Sequence, residues 1–257
     1  MSYGPIPRMP PKQPHPVGPR HGLARVLSKR GICSRTVAAR WIVDGRISLG
    51  GRTVRDPESA TAATAEIALD GVPLHKTERV YVALNKPRGL VTTAVDERGR
   101  DTVYRCFDGA GLPWLAPVGR LDKASEGLLL FCNDPEWAAR VSDPAHGQDK
   151  TYHVQVDIIP DAALLAALVR GIEIDGVFLR AKSVQLLRAG GRNAWLEIVL
   201  DEGRNRQIRR LLGALDVNVL RLIRVAIGTL ALGELPKGQW RRLADDEVLA
   251  LAAGNAY

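Results

Sequence analysis

The stretch GRLDKASEGLLLF, residues 119–131, decides how this chain is read. Its end, Leu128 to Phe131, is an unbroken apolar run that is too short for a helix and suits a strand buried on both faces. Just ahead of it sits one acid, Asp122, behind a basic and apolar lead-in, in a chain that is otherwise strongly basic. Such an acid has two bland explanations, a turn cap or a pair with a surface arginine. The rest of the sequence decides between these and a chemical role.

At 257 residues the chain can bury a large core, enough for one domain of catalytic size and a smaller one. No stretch approaches the apolar length of a spanning helix and the first residues lack the hydrophobic centre of a signal peptide, so a soluble, cytoplasmic protein with no membrane partner is expected. Cys33, Cys106 and Cys132 lie far apart with no CxxC spacing, and the five histidines add no ligand pattern, so neither a disulfide framework nor a metal site is expected. A net charge of +8 favours a polyanionic partner, because lysine and arginine release condensed counterions when they meet phosphates. No GxGxxG or Walker pattern occurs, which argues against NAD or ATP, and no cofactor is expected.

Residues 1–20 carry proline at 5, 7, 10, 11, 14, 16 and 19 and read as a disordered basic arm. From His21 the pattern turns helical. Leu23, Val26 and Leu27 share one face, Gly31 can end that helix and Ser34 can cap a second, in which Val37, Trp41 and Ile42 share a face and Gly45 is the stop. RISLGGRTVRD then alternates around Gly50-Gly51 as a hairpin does. Arg25, Lys29, Arg30, Arg35, Arg40, Arg46, Arg52 and Arg55 crowd this unit, with Asp44 the sole acid up to Arg55. A solvating surface mixes signs, so this bias points to phosphate. The unit is taken to span 21–71, followed by a linker, VPLHKTER, at 72–79.

Residues 80–250 read as a mixed domain. VYVALNKPRGLVTT suggests a strand into a turn and out again, TYHVQVDII and AWLEIVL are strands, DAALLAALVRGIEI is a helix closed by Gly171, and NRQIRRLLGAL is a basic amphipathic helix bounded by Gly213. Irregular interleaving of these elements predicts an α+β fold around a mixed, largely antiparallel sheet.

Across residues 21–71, ARVLSKRGICSRTVAARWIVDGRISLGGRTVRDP followed by EIALDG resembles the ribosomal-protein-S-four type of RNA-binding module, or alpha-L motif. The resemblance implies a helical pair and hairpin whose basic face, including Arg25, Lys29, Arg30, Arg35, Arg40 and Arg46, grips structured RNA by shape and phosphate geometry. Residues 79–245 resemble pseudouridine synthases of the RsuA type, which include large-subunit ribosomal RNA members. The likeness rests on LNKPRGLVTT, GRLDKASEGLLLFCND, KTYHV and EGRNRQIRRLLGAL, in that order, with the later LRLIRVAIGTL and LPKGQWRRL.

That resemblance implies isomerisation of uridine to pseudouridine, in which the bond from N1 to C1′ breaks and C5 joins C1′. Asp122 is then the carboxylate beside the sugar, either a nucleophile at C1′ or a base and charge stabiliser that permits a glycal-like intermediate. To stay ionised although shielded from water it needs a permanent cation, and the family pattern puts Arg209 in that place. Tyr152 is implied as the ring that stacks on uracil and helps remove the C5 proton. Arg120 is implied to fill the gap left by the everted nucleotide or to hold a flanking phosphate, and Leu222 to wall the base. Lys150 and Arg204 are expected to bind substrate, and Lys86 and Arg88 to bind RNA or support the loop. Ser125 and Glu126 are expected to tie down the loop carrying Asp122, with Glu126 near a backbone amide or an arginine.

Two other readings compete. Asp122 and Glu126 could form a glycosidase's carboxylate pair, although such pairs usually come from separate elements and aromatic platforms are scarce at 5% of residues. A ribosome-assembly protein with a decayed catalytic half would bind RNA and release no label from uracil C5. The expected partner is ribosomal RNA, free or in a subunit precursor, large-subunit 23S RNA being preferred over small-subunit 16S RNA, and the protein is expected to act as a monomer.

Overall fold

The computed structural model describes residues 19–94, 96–143 and 148–254. Its contacts separate two units, residues 19–27 with 35–75, and 28–34 with 76–254. The disordered arm expected at 1–20 lies outside the described residues up to position 18, and Arg20 already opens a strand.

The first unit runs through β1 (Arg20–Gly22), α1 (Leu23–Lys29, its last two residues falling in the second unit), α2 (Arg35–Val43), β2 (Ile47–Leu49), β3 (Arg52–Thr53), β4 (Ala60–Ala62), β5 (Ile67–Leu69) and β6 (Val72–Pro73). Strands β3, β2, β5 and β6 form an antiparallel sheet in that order, and β1 pairs with β4. Gly50 and Gly51 both have positive φ, as the tight turn between β2 and β3 requires, and a side chain at either would be strained. Leu23, Val26, Leu27, Ala38, Ile42, Ile47 and Ile67 are buried. The inward face of α2 therefore runs through Ala38 and Ile42, whereas Val37, expected on it, is 39% exposed. The small Ala38 side chain allows close packing that the bulkier valine, one position round the helix, does not enter. The linker expected to start at Val72 begins later, because Val72 and Pro73 complete the sheet as an edge strand, where proline's missing donor does no harm.

The second unit holds β7 (Tyr81–Lys86), β8 (Ala116–Val118), β9 (Glu126–Cys132), α3 (Pro135–Ser142), β10 (Lys150–Val156), α4 (Ala162–Arg170), β11 (Ile172–Ile174), β12 (Val177–Leu179), β13 (Ser183–Ala189), β14 (Ala194–Leu200), α5 (Gln207–Gly213), β15 (Val219–Ile227), β16 (Leu230–Ala231), β17 (Trp240–Arg242) and α6 (Asp245–Ala253). The main sheet has the order β13-β14-β10-β15-β9-β7-β17, and β9 with β15 is its one parallel pairing among the described strands. The fold is thus α+β on a mixed, largely antiparallel sheet.

The apolar run of β9 follows from its central place. Leu129 and Phe131 enter one core with Val82, Leu84, Val154 and Leu196, while Leu128, Leu130 and Cys132 enter another with Trp137, Val141 and Leu251 of the covering helices. With both faces covered, alternation has no purpose. At its start Gly127 has φ +99, and a Cβ there would lie 2.2 Å from the Arg224 carbonyl oxygen, so only glycine allows β15 this close. The helix ends are set locally. Asp134 accepts from the Glu136 and Trp137 amides at the start of α3, Asp161 accepts from Leu164 N at the start of α4, and Gly171 follows the last residue of α4.

Candidate active site

Asp122 lies in the short loop between β8 and β9, and the five carbonyls from Leu121 to Ser125 are each held. The carbonyl of Leu121 accepts from Thr92 Oγ1 (2.8 Å), that of Asp122 from Lys86 Nζ (3.2 Å), and that of Lys123 from the Gly89 amide (2.8 Å). The carbonyl of Ala124 accepts from Arg209 Nη2 (3.4 Å) and that of Ser125 from Lys86 Nζ (2.8 Å), while the Ser125 amide donates back to Asp122 O (3.0 Å). Three of these donors come from the LNKPRGLVTT stretch. Its outgoing limb, expected to be a strand, forms only an isolated bridge from Val91 to Thr102. Its Gly89 amide and Thr92 hydroxyl are committed to the loop instead.

Lys86 is fully buried and meets no solvent, so of its two expected roles it supports the loop and does not contact substrate. Its ammonium donates to three carbonyls, those of Pro87, Asp122 and Ser125. Burial pushes its pKa down to about 8, against the opposing influence of Cys106, Glu126 and Asp122. Replacing it with methionine leaves the carbonyls without their shared donor and releases the loop. Turnover is expected to fall about 10²-fold, the scale of an ångström of misplacement, with RNA affinity retained in an anisotropy titration. Between about 8 and the ordinary 10.5 the unfolded chain keeps a proton that the folded chain has lost. This group's contribution to stability therefore rises with pH across that window. The neutral amine has one donor fewer for the carbonyls, so turnover falls as pH rises through about 8. Urea unfolding and turnover measured against pH check both trends, and the share owed to Lys86 is absent from each in Lys86→Met.

The cation at the carboxylate differs from the one expected. Arg206 Nη1 donates to Asp122 Oδ2 at 3.3 Å, whereas Arg209 donates to the backbone carbonyls of Val219 (3.3 Å) and Ala124 (3.4 Å). Arg206 takes a left-handed conformation, φ 51 and ψ 31, just before α5, which sends its side chain towards the loop. Arg209 lies within the helix and reaches the loop from behind. Burial lowers its pKa, Arg206 adds to that fall, and the Asp122 charge opposes it, so the two groups interact without touching. Asp122 is also less shielded than expected, since 36% of its side-chain surface is open.

That open surface faces two concavities that meet over Asp122. One, of about 270 Å³, includes Asp122, Tyr152, Leu222, Arg209, Lys150 and Arg224 in its wall. The other, of about 640 Å³, is lined by Arg98, Arg100, Lys123 and Asn205 and shares Arg120, Arg204 and Arg206 with the first. The structure thus brings Asp122, Tyr152, Arg209, Arg120, Leu222, Lys150 and Arg204 around one cavity. Tyr152 and Leu222 are almost buried, and Tyr152 sits directly across the sheet from Arg224. Arg120 is exposed at the rim, Arg204 is paired with Glu202 at 2.7 Å, and Arg88 is exposed outside both concavities. Gln207, buried, fixes the segment before α5 by accepting from Arg204 N and donating to Arg180 O and Glu202 Oε1.

Glu126 does not line either concavity. It is buried on β9, where burial alone would push its carboxyl up, but hydrogen bonds from Arg221 and Lys237 outweigh this and hold it below the usual range. A carboxylate held by these two cations is a structural group, which removes the glycosidase pair. In the first unit and its neighbouring segment, Arg25, Arg35 and Arg40 are exposed, whereas Lys29 is paired with Glu136 and Arg46 with Asp70. Arg30 is half-buried, and that burial lowers its pKa. The basic face is therefore narrower than the count of arginines implied. Arg206, Thr92, Gln207 and Arg224 were not singled out by sequence as site residues, and only the strand alternation around Arg224 could have placed it beside Leu222.

Residues 80–214 match the family model described as RNA pseudouridylate synthase, and residues 22–60 match the S4 domain. The chain is 35% identical over 224 residues to an uncharacterized RNA pseudouridine synthase of Rickettsia prowazekii (strain Madrid E), covering 87% of this chain and 94% of that one. It is 35% identical over 234 residues to ribosomal large subunit pseudouridine synthase B of Bacillus subtilis (strain 168), covering 90% and 95%. A solved structure described as a pseudouridylate synthase superimposes with a TM-score of 0.62 at 30% identity, over 91% of this chain and all of that one.

Proposed function

We propose, from the premise that this chain belongs to the RNA pseudouridylate synthase family and is a pseudouridine synthase acting on RNA, that its substrate is ribosomal RNA of the large subunit and that Asp122 is its reacting carboxylate. The observation that carries this reading is the placement of Asp122 where a nucleoside-scale cavity opens into a basic groove, on a loop whose five consecutive carbonyls are each held. Preorganisation of this kind fixes a reacting atom without reorganisation at the moment of reaction.

The groove with Arg98, Arg120 and Lys123 takes the RNA backbone, and the target nucleotide turns out of its stack into the smaller cavity. There the N1–C1′ bond breaks with its electron pair on the base, while Asp122 meets the electron-poor sugar by bonding to C1′ or by permitting loss of the C2′ proton. The base turns against Tyr152 and Leu222, and C5 bonds to C1′ as the Asp122–C1′ bond breaks or as the proton taken from C2′ returns; the C5 proton then leaves with help from the Tyr152 hydroxyl, and N1 takes up a proton. Arg206 pairs with the carboxylate, and Arg209 fixes its loop. The preference for large-subunit RNA rests on the likeness to the Bacillus subtilis enzyme. Incubation with 23S and 16S transcripts tritiated at uracil C5 tests it. Label is expected from 23S RNA at one site, and release from 16S RNA alone would reverse the assignment.

A further inference from the structure

Arg224 projects from β15 into the same cavity and is only 6% exposed. Its Nε donates to the Leu128 carbonyl at 2.7 Å, while its Nη2 is buried and has no hydrogen-bond partner among the described residues. A buried guanidinium nitrogen without an acceptor is costly to maintain and marks a place where a ligand supplies one. Lys150 lines the same cavity, two positions from Tyr152 on β10, and donates no hydrogen bond to a described residue. Burial lowers its pKa, and the charge of Arg224 lowers it further, so the two cations feel one another.

We infer that Arg224, with Lys150 beside it, is a catalytic group that holds the negative charge appearing on the uracil ring when the N1–C1′ bond breaks. The inference rests on the pseudouridine synthase reading above. Heterolysis leaves the bonding pair on the base, where it is shared by N1, O2 and O4, and the sugar's deficit is met at Asp122. Arg224 donates hydrogen bonds and transfers no proton. The same electron pair later forms the C5–C1′ bond as Asp122 gives up the sugar, the C5 hydrogen departs as a proton, and N1 takes one up. A phosphate is the poorer occupant. Arg224 shares the cavity wall with the nearly buried Tyr152 and Leu222, whose apolar surfaces suit a flat base and offer a phosphodiester no partner. Phosphates find their cations at the rim, at Arg120 and Arg204.

Charge stabilisation of a leaving base has a signature that a packing role lacks. Fluorine at C5 withdraws electrons and stabilises the base anion by itself, so 5-fluorouridine needs the cation less. Single-turnover consumption of the target nucleoside, read by chromatography of nuclease digests, is compared for wild-type protein and Arg224→Met on uridine RNA and on 5-fluorouridine RNA. The expected loss is about 10²-fold on uridine, the scale of removing one preorganised donor, and about tenfold or less on 5-fluorouridine. Equal losses on both substrates, no loss, or weaker binding with unchanged turnover overturns the inference. Circular dichroism reports whether Arg224→Met folds. If it does not, Lys150→Met is put through the same comparison, with the same pattern expected at smaller size and the same outcomes counting against it. Wild-type turnover on uridine is the control for the underlying reading, since its absence removes the synthase reading whatever the Arg224 variant does.

Discussion

Replacing Asp122 by asparagine is expected to reduce tritium release from C5-labelled ribosomal RNA by about 10⁴-fold or more, with RNA affinity close to that of the wild type. The size follows from the role, since removing a group that bonds to or ionically supports the reacting carbon removes a step and not merely a contact. Preserved binding follows from the structure. Asparagine has nearly the shape of aspartate, and the loop is held through backbone carbonyls that the substitution does not touch. The neighbouring cations, Arg206 and Arg209, lose an anion, which if anything favours RNA. Stopped assays for label and filter binding measured on one preparation check both halves. Wild-type turnover by the asparagine variant would remove Asp122 from the chemistry.

Tyr152→Phe is expected to lower turnover about 10³-fold, within the range of a lost proton-transfer group, while KM changes little. The phenylalanine ring keeps the apolar face against the base and the packing of a residue that is 8% exposed, so only the hydroxyl is removed. Tyr152→Leu removes the ring as well, and KM then rises in keeping with about 1–3 kcal/mol for one stacked base. The split between kcat and KM in the two variants separates the hydroxyl's work from the ring's. A phenylalanine variant as fast as the wild type would assign proton removal elsewhere.

The parts of this molecule legible in its sequence are those governed by local periodicity and end chemistry. Alternation in TYHVQV follows from a strand with a core face and a wetter face, and Asp161 with Gly171 marks the ends of α4. The apolar run after Asp122 reads correctly because β9 is covered on both sides. Contacts that depend on the direction of a single side chain were not legible. Arg206 and Arg209 lie three residues apart, and only the left-handed backbone at Arg206 sends that side chain to the carboxylate. The sequence leaves Lys86 between RNA binding and support of the loop, because lysine is seldom buried. Its three backbone partners come together through pairing of β7 with β9, which leaves no local trace in the sequence. The parallel pairing of β15 with β9 is equally hidden, although Gly127, where a side chain would strike β15, marks the place.

The most direct test of the central claim, that Asp122 meets the sugar of an everted uridine, is a crystal structure of Asp122→Asn bound to an RNA stem containing the target nucleotide. The expected result is the C1′ carbon in van der Waals contact with the side chain of residue 122, and the base between Tyr152 and Leu222. A target nucleotide still stacked in its helix, or a ribose seated away from residue 122 with the small cavity unfilled, would contradict it.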